Sequence, residues 1–286
     1  ATVLVSGMVL TPAAVALAAG SGLSHVSVHR RPRVGVLATG DEVRAVGQEL
    51  GPAGIPDANG PGLLALVEAA GASAYDLGIA ADRLDDVQAR LEAGLADSLD
   101  VIIVSGGVSV GPYDVVRTGF ETFGTIDLWR VAVQPGKPFA FGTAEGNVSR
   151  GGSDGRSRTL LFGLPGNPVS TFVTFELFVR PALRRLAGHR DDDLLRPLDR
   201  AVLDDPVSKS RGRRAFVRVV ADRDGGGHPR RDERGRVHVR LAGGPGGQGS
   251  HVLSALALAD GLAVIPEADD ALPAGAAVDL WWLERT

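Results

Sequence analysis

The chain has 286 residues, 44% of them hydrophobic, enough for about two domains and a sizeable core. Its net charge of −4 gives no general attraction to nucleic acid or to an anionic membrane surface. It has no cysteine, which excludes disulfides and thiolate metal sites and fits a reducing, cytoplasmic compartment.

The first residue is Ala1 rather than Met, which points to processing or truncation. The apolar opening "ATVLVSGMVLTPAAVALAAG" has no basic leader. Thr11 and Pro12 read as helix cap and first helical residue, with Gly20 as the stop. A packed helix is therefore expected here, not a signal peptide or a membrane span.

From Arg33 to Gly188 strand and helix patterns alternate. "RVGVLATG" (33–40) reads as a strand, "PGLLALVEAAG" (61–71) as a helix and "SAYDLGIA" (73–80) as a strand. "RLDDVQARLEAGLAD" (83–97) follows as a helix and "DVIIVSGG" (100–107) as a strand. A helix is expected to begin near Asp114, before the strands "IDLWRVAV" (126–133), "PFAFG" (138–142) and "TLLFGLPG" (159–166). One long helix, "PVSTFVTFELFVRPALRRLAG" (168–188), ends the region. This alternation predicts an α/β fold with a doubly wound, mostly parallel sheet. Continuous apolar strands predict burial on both faces. The Gly/Ser/Arg-rich residues 144–158 read as a loop between two strands.

After Gly188 the pattern changes. "AFVRVVAD" (215–222), "RVHVRLAG" (236–243), "LAVIPEA" (262–268) and "AAVDLWWLE" (276–284) are short strand candidates between turns. The expected organisation is an N-terminal piece (1–30), an α/β domain (31–188) and a smaller all-β domain (189–286). The arginine-rich segment 209–240 reads either as solvated strand faces or as a source of one or two ligands for an anion.

Ligands of doubly wound sheets bind beyond the carboxyl ends of the strands. Four strands here end in unusual loops: "TGDE" (39–42), the turn at Asp82, "SGGVSVGPYD" (105–114) and "GLPGNP" (163–168). Glycine-rich loops offer backbone N–H groups to phosphate, although each also serves as a tight turn. Gly106, Gly107 and Gly111 are more than one turn needs. Neither a Rossmann fingerprint nor a P-loop is present. A helix cap is the default reading of Asp82, Asp114 has the same ambiguity, and Asp41 and Glu42 can be read as solvated loop acids. Yet carboxylates repel phosphate unless a divalent cation bridges them. Glu42, Asp82 and Asp114 together therefore suggest a Mg²⁺-assisted site for a phosphorylated or pyrophosphate ligand. "VQPGKP" (133–138) adds Lys137, one of only two lysines among 30 basic residues, on a loop stiffened by Pro135 and Pro138.

Taken in order, "ATGDEV", "GIPDANG", "SGGVSVGPYD", "PGKPFAFG", "LFGLPGNPVSTFVTFE" and "GQGSHVLSALALADGLAVIPE" resemble the MoeA-type molybdopterin molybdenumtransferases, a family that includes the E domain of gephyrin. MogA-type adenylyltransferases share the central fold, but the "PGKP" and "QGS" stretches point to the MoeA type. The resemblance implies an enzyme that converts adenylylated molybdopterin and molybdate into molybdenum cofactor and AMP, with Mg²⁺. It implies a homodimer and a MogA-type adenylyltransferase as partner, with no nucleic acid and no membrane.

The resemblance also implies roles. Glu42, Asp82 and Asp114 would serve metal, pyrophosphate and hydrolysis chemistry. Thr39, Gly40 and Asp41 of the first loop, with Asn59, would bind substrate. So would Ser105, Gly106, Gly107 and Ser109 of the glycine loop, and Gly166, Asn167 and Pro168 of "PGNP". Pro135, Lys137 and Pro138, with Arg218 and Ser250, would hold molybdate in a crevice shared by the two domains. Family members carry a longer N-terminal part, of which residues 1–30 resemble the end. Many have a lysine or arginine where this chain has Gln134, which predicts weaker anion affinity. The alternative is a non-catalytic scaffolding protein or a short form lacking activity. The acid set and Lys137 favour catalysis.

Overall fold

The computed structural model describes residues 4–107, 115–146 and 157–283. The α/β part holds six strands: β1 (Arg33–Thr39), β2 (Ser73–Ala80), β3 (Val101–Ser105), β4 (Gly124–Arg130), β5 (Pro138–Gly146) and β6 (Ser157–Leu164). They lie in the order β2-β1-β3-β6-β5-β4. The first four are parallel. The pairs β6–β5 and β5–β4 are antiparallel. β5 and β6 are separated by fewer residues than the dozen or so a parallel crossover requires, and their antiparallel pairing gives the sheet an antiparallel edge.

Burial alternates along the parallel strands and uses both faces. Val34, Val36, Val101, Ile103, Phe162 and Leu164 face one core with Leu63 and Val67 of helix α2 (Asn59–Ala69). That helix follows α1 (Pro12–Gly20) in the chain. Leu37, Ile102, Val104 and Leu161 face the opposite core with Val87, Leu91 and Leu95 of α3 (Leu84–Ala96) and Val116 and Phe120 of α4 (Val115–Phe123). This is the doubly wound arrangement expected from uniformly apolar strands. The chain turns to one side of β1 through α2 and β2, then crosses to β3 on the other side. The topological switch point thus falls between β1 and β3.

The long helix expected over 168–188 is interrupted. α5 (Pro168–Thr174) and α6 (Arg180–Leu186) are joined by a π-helical turn, Phe175–Val179. The wider turn holds Glu176 fully buried, where Arg196 grips its carboxylate through two hydrogen bonds of 2.8 and 3.0 Å. A buried charge needs such a partner.

α1 forms as its cap predicts: Thr11 Oγ1 accepts the Ala14 N–H at 3.2 Å. Its connection to β1 is tied down by Asp100, which accepts from the Arg30 guanidinium and from Arg33 N. No helix among the described residues is long and apolar enough to cross a membrane.

The C-terminal part contains β7 (Leu198–Leu203), β8 (Arg214–Ala221), β9 (Val237–Leu241), α7 (Leu253–Leu258), β10 (Gly261–Ile265) and β11 (Ala277–Trp282). The strands run β9-β7-β11-β10-β8, and a β8–β9 pairing closes them into a small barrel. Residues such as Val219, Val239, Ala263 and Leu280 fill it. β7 was not anticipated in the sequence. β8 pairs with β9 only through Val219–Ala221. Alongside its start, Arg214 and Ala215 pair instead with Val133 and Gln134 of the α/β part. The end of the expected strand 126–133 therefore belongs to the other sheet. Half of the arginines in the arginine-rich segment form ion pairs: Arg214–Glu267, Arg223–Asp260, Arg230–Asp222, Arg231–Asp199 and Arg236–Asp232. That favours the solvated-face reading.

Candidate active site at the strand ends

The parallel register aligns the carboxyl ends of four strands. Ala38 lies opposite Ser105, Thr39 opposite Ala80, and Ser105 opposite Leu164. The loops after β1, β2, β3 and β6 are therefore neighbours, and the switch point sits among them.

The floor is buried and polar. Thr39 and Ser105 are 4% and 2% exposed. Asn59, in the first turn of α2, donates its amide to Ser105 Oγ at 2.9 Å and to the Gly166 carbonyl at 2.7 Å. One side chain thus ties α2, the glycine loop and the loop after β6. Gly106 N donates to Leu164 O at 3.2 Å. Gly106 and Gly107 have φ of 96° and 61°. A Cβ on Gly106 would stand 2.3 Å from Thr39 O, and one on Gly107 2.8 Å from Thr39 Oγ1. Only glycine lets the loop lie this close to β1. Thr39 Oγ1, enclosed beneath that loop, has no hydrogen-bond partner among the described residues. A buried hydroxyl left unpaired costs stability, so its retention calls for another explanation.

The rim is acidic and exposed. Asp41, Glu42 and Asp82 all reach solvent. Asp82 does not cap α3, which begins at Leu84 without any side-chain cap. Its own N–H is instead held by Asp41 Oδ1 at 3.1 Å. The Asp82 carboxyl is raised above the ordinary carboxylate range, first by desolvation and then by the charges of Asp41 and Glu42. Thr39 opposes this rise weakly from nearby, without the geometry of a hydrogen bond. Among the described residues no three acidic or imidazole groups could hold one metal ion. Mg²⁺, however, needs only one or two carboxylates when substrate phosphates supply the rest. The crowded Glu42–Asp82 pair fits that requirement. Asp114 and Ser109 lie outside the described residues.

Gly40 is enclosed at the end of β1, Gly166 and Asn167 are exposed at the rim, and Pro168 opens α5. The Lys137 loop lies beyond them. Lys137 is exposed, Pro135 follows the two-residue strand Val133–Gln134, and Pro138 begins β5. The Ser250 carbonyl accepts the Val169 N–H at 3.1 Å, which brings the "QGS" loop onto the start of α5. Gly136 packs on Thr174 of the same helix.

Arg218 sits differently from Lys137 and Ser250. It is 1% exposed, and its guanidinium donates to the Gly247 and Gly249 carbonyls at 2.7 and 3.2 Å. Burial lowers its pKa to about 10. As placed, Arg218 supports the loop that carries Ser250 and does not open onto solvent. Gln248, not singled out in the sequence, completes the support: its amide pairs with both backbone groups of Arg218. Its place in "QGS" was the available signal.

A doubly wound domain with its crevice at the switch point, docked against a small barrel, defines the class of protein. Residues 35–185 match the family described as "Probable molybdopterin binding domain", and residues 200–283 match "MoeA C-terminal region (domain IV)". The chain belongs to the MoeA family. It is 36% identical over 286 residues to molybdopterin molybdenumtransferase 2 of Mycobacterium tuberculosis, covering 98% of this chain and 64% of that protein. It is 33% identical to the molybdopterin molybdenumtransferase of Haemophilus influenzae, covering 97% and 63%. The crystal structure of a molybdopterin biosynthesis MoeA protein from Pyrococcus horikosii superposes with a TM-score of 0.74 at 28% identity, covering 98% of this chain and 62% of that one. The chain thus spans less than two thirds of these relatives' lengths.

Proposed function

We propose that this chain carries the catalytic crevice of a molybdopterin molybdenumtransferase, which joins molybdate to adenylylated molybdopterin and releases AMP. The observation that carries the reading is the glycine loop itself, whose Gly106 and Gly107 lie with positive φ hard against Thr39 at the switch point. A glycine loop at a strand end is the kind of backbone that approaches a phosphorylated ligand closely. Likeness to molybdenumtransferases of two bacteria supports the choice of ligand.

In this reading Asn59 holds the glycine loop and the Gly166 loop in register, so the donors are fixed before substrate arrives. Glu42 and Asp82, with Asp114, would hold Mg²⁺, which when bound offsets charge on the pyrophosphate. Asp82, at the rim beside Asp41 and Glu42, would serve the hydrolysis of the pyrophosphate bond. Lys137 and Ser250 would hold molybdate, and Arg218 would shape the Ser250 loop from beneath. A homodimer and a MogA-type adenylyltransferase that supplies the substrate complete the proposal.

The test is AMP release from adenylylated molybdopterin, with and without molybdate and Mg²⁺. Wild-type chain should release AMP only when both are present. Lys137→Ala should weaken molybdate binding about tenfold, the loss of one charge-assisted hydrogen bond, with AMP binding nearly unchanged. AMP release indifferent to Asp82→Asn and to Lys137→Ala would overturn the reading.

A further inference from the structure

We infer that Gln134 is a positioning residue, which fastens the Lys137 loop to the C-terminal barrel through Ser210 and so sets where that lysine stands. The inference rests on the role proposed above for Lys137.

The backbone carries the first part of the argument. Val133 and Gln134 pair with Arg214 and Ala215 of the barrel, and Arg214 N donates to Ala132 O at 2.9 Å. Only four residues on from Gln134, Pro138 stands opposite Arg130 in the α/β sheet. Pro135, Gly136 and Lys137 therefore span two sheets with no slack. A shift of the barrel relative to the α/β domain at this edge is therefore felt by the loop, beside the buried contact of Val133 with Phe216 and Leu262.

The loop is held on two sides. On one side Gly136 has φ of 118°, and a Cβ there would stand 2.6 Å from Thr174 Cγ2. The loop thus lies hard against α5. On the other side Gln134 Oε1 accepts the Ser210 N–H at 3.2 Å. Ser210 lies just ahead of β8, so this bond extends the two-residue ladder onto a second segment of the barrel. A ladder of two residues at a sheet edge is a weak hold, and one further bond is a large fraction of it. Gln134 is neutral and half-buried, so its contribution is geometric. Lys137 is exposed on a long, flexible stem, and the loop is what fixes the root of that stem. Loosening the loop lowers the population of the binding arrangement and weakens apparent affinity in proportion.

The experiment is a double-mutant cycle read by isothermal titration with molybdate, using AMP as the second probe. Gln134→Met keeps the side chain's length and removes the acceptor. Molybdate binding should weaken roughly three- to tenfold, the value of one hydrogen bond, while AMP binding stays within about twofold. In a Lys137→Ala background the same change should cost nothing more, because Gln134 acts through Lys137. Gln134→Asn, which stays polar but falls short of Ser210, should repeat the result and serves if the Met variant folds poorly. Unchanged molybdate affinity in the Gln134 variants overturns the inference. So does an equal loss in both backgrounds, which would mean that Gln134 acts independently of Lys137. If Lys137→Ala itself leaves molybdate binding intact, the proposed oxyanion site fails first, and this inference goes with it.

Discussion

Asn59 Nδ2 lies 2.9 Å from Ser105 Oγ and donates to it, so the first turn of α2 is fastened to the last residue of β3. The same amide reaches Gly166 O, and the two bonds determine how three loops meet. Asn59→Ala leaves the buried Ser105 Oγ without its donor, while the exposed Gly166 carbonyl can turn to water, and should cost about 1–3 kcal/mol of stability. Asn59→Asp should be worse, since a carboxylate would face the Gly166 carbonyl. Thermal melts of both variants against wild type decide the order.

Thr39→Val removes a hydroxyl that is enclosed without a partner. Stability should hold or rise, by up to about 1 kcal/mol, since a desolvation penalty disappears. AMP binding should fall about tenfold. A variant that is as stable as wild type but binds poorly would mark Thr39 as retained for a ligand. Equal losses in stability and binding would instead mark it as structural.

Gly107→Ala tests the close approach above it. The residue has φ of 61°, and the new methyl would meet Thr39 Oγ1 and Val116 Cγ2, each at 2.8 Å. The strain should lower stability by about 1–3 kcal/mol. Pairing it with Thr39→Val should recover part of that loss only if the valine methyl can turn aside. The melting temperature of the double variant reads this directly.

Two carboxylates give opposite pH signatures. Asp199 is held at about 2 by Arg231 first, then by Trp282 and Arg200 N. A depressed folded pKa adds stability above the unfolded value of 3.8, and that stability is lost as pH falls towards 2. Urea unfolding of wild type and Asp199→Asn should differ most at pH 5 and converge near pH 2. Tryptophan fluorescence reports the transition, since Trp282, one of three tryptophans, donates its indole N–H to the same carboxylate.

Asp82 runs the other way. Its folded pKa lies above 3.8, so ionisation is disfavoured in the folded state and the group subtracts stability once pH exceeds that value. Asp82→Asn should therefore be as stable as wild type or more so at pH 7, while AMP release falls steeply. A drop in melting temperature would return Asp82 to a structural role.

The sequence was most informative where one residue pattern has one structural meaning. "SAYDLGIA" forms β2 with the expected ends, and Thr11–Pro12 starts α1. The strand-end loops were recognisable because glycine excess and acids after apolar runs have few other uses. What stayed hidden depends on distant partners. The break in the long helix had a local mark in Pro181, just past the π turn, whereas the pairing of Glu176 with Arg196 twenty residues on had none. Asp82 has the composition of a cap, yet Asp41 holds its N–H and the helix starts two residues later. Arg218 carries the charge an oxyanion site wants, but which way a strand residue faces, and that carbonyls of its own domain take it, appear only in three dimensions. Two residues, Val133 and Gln134, are too few to show a period at all.

Those two residues bear on how the chain assembles. The gap beside the start of β8 is filled by Val133 and Gln134, which precede β8 by some eighty residues. During synthesis the segment emerges long before the strand that receives it, so it must wait as an unpaired edge. The barrel's hydrogen-bond pattern can be completed only by this late, long-range pairing, the slow kind of step in folding. A fragment beginning at β7 would lack the missing stave and expose the side of β8 to other chains, a route to aggregation. The two domains share this seam and a buried cluster in which Val169 and Val173 of α5 meet Phe216 and Leu262 of the barrel, and the unit that folds cleanly is the pair.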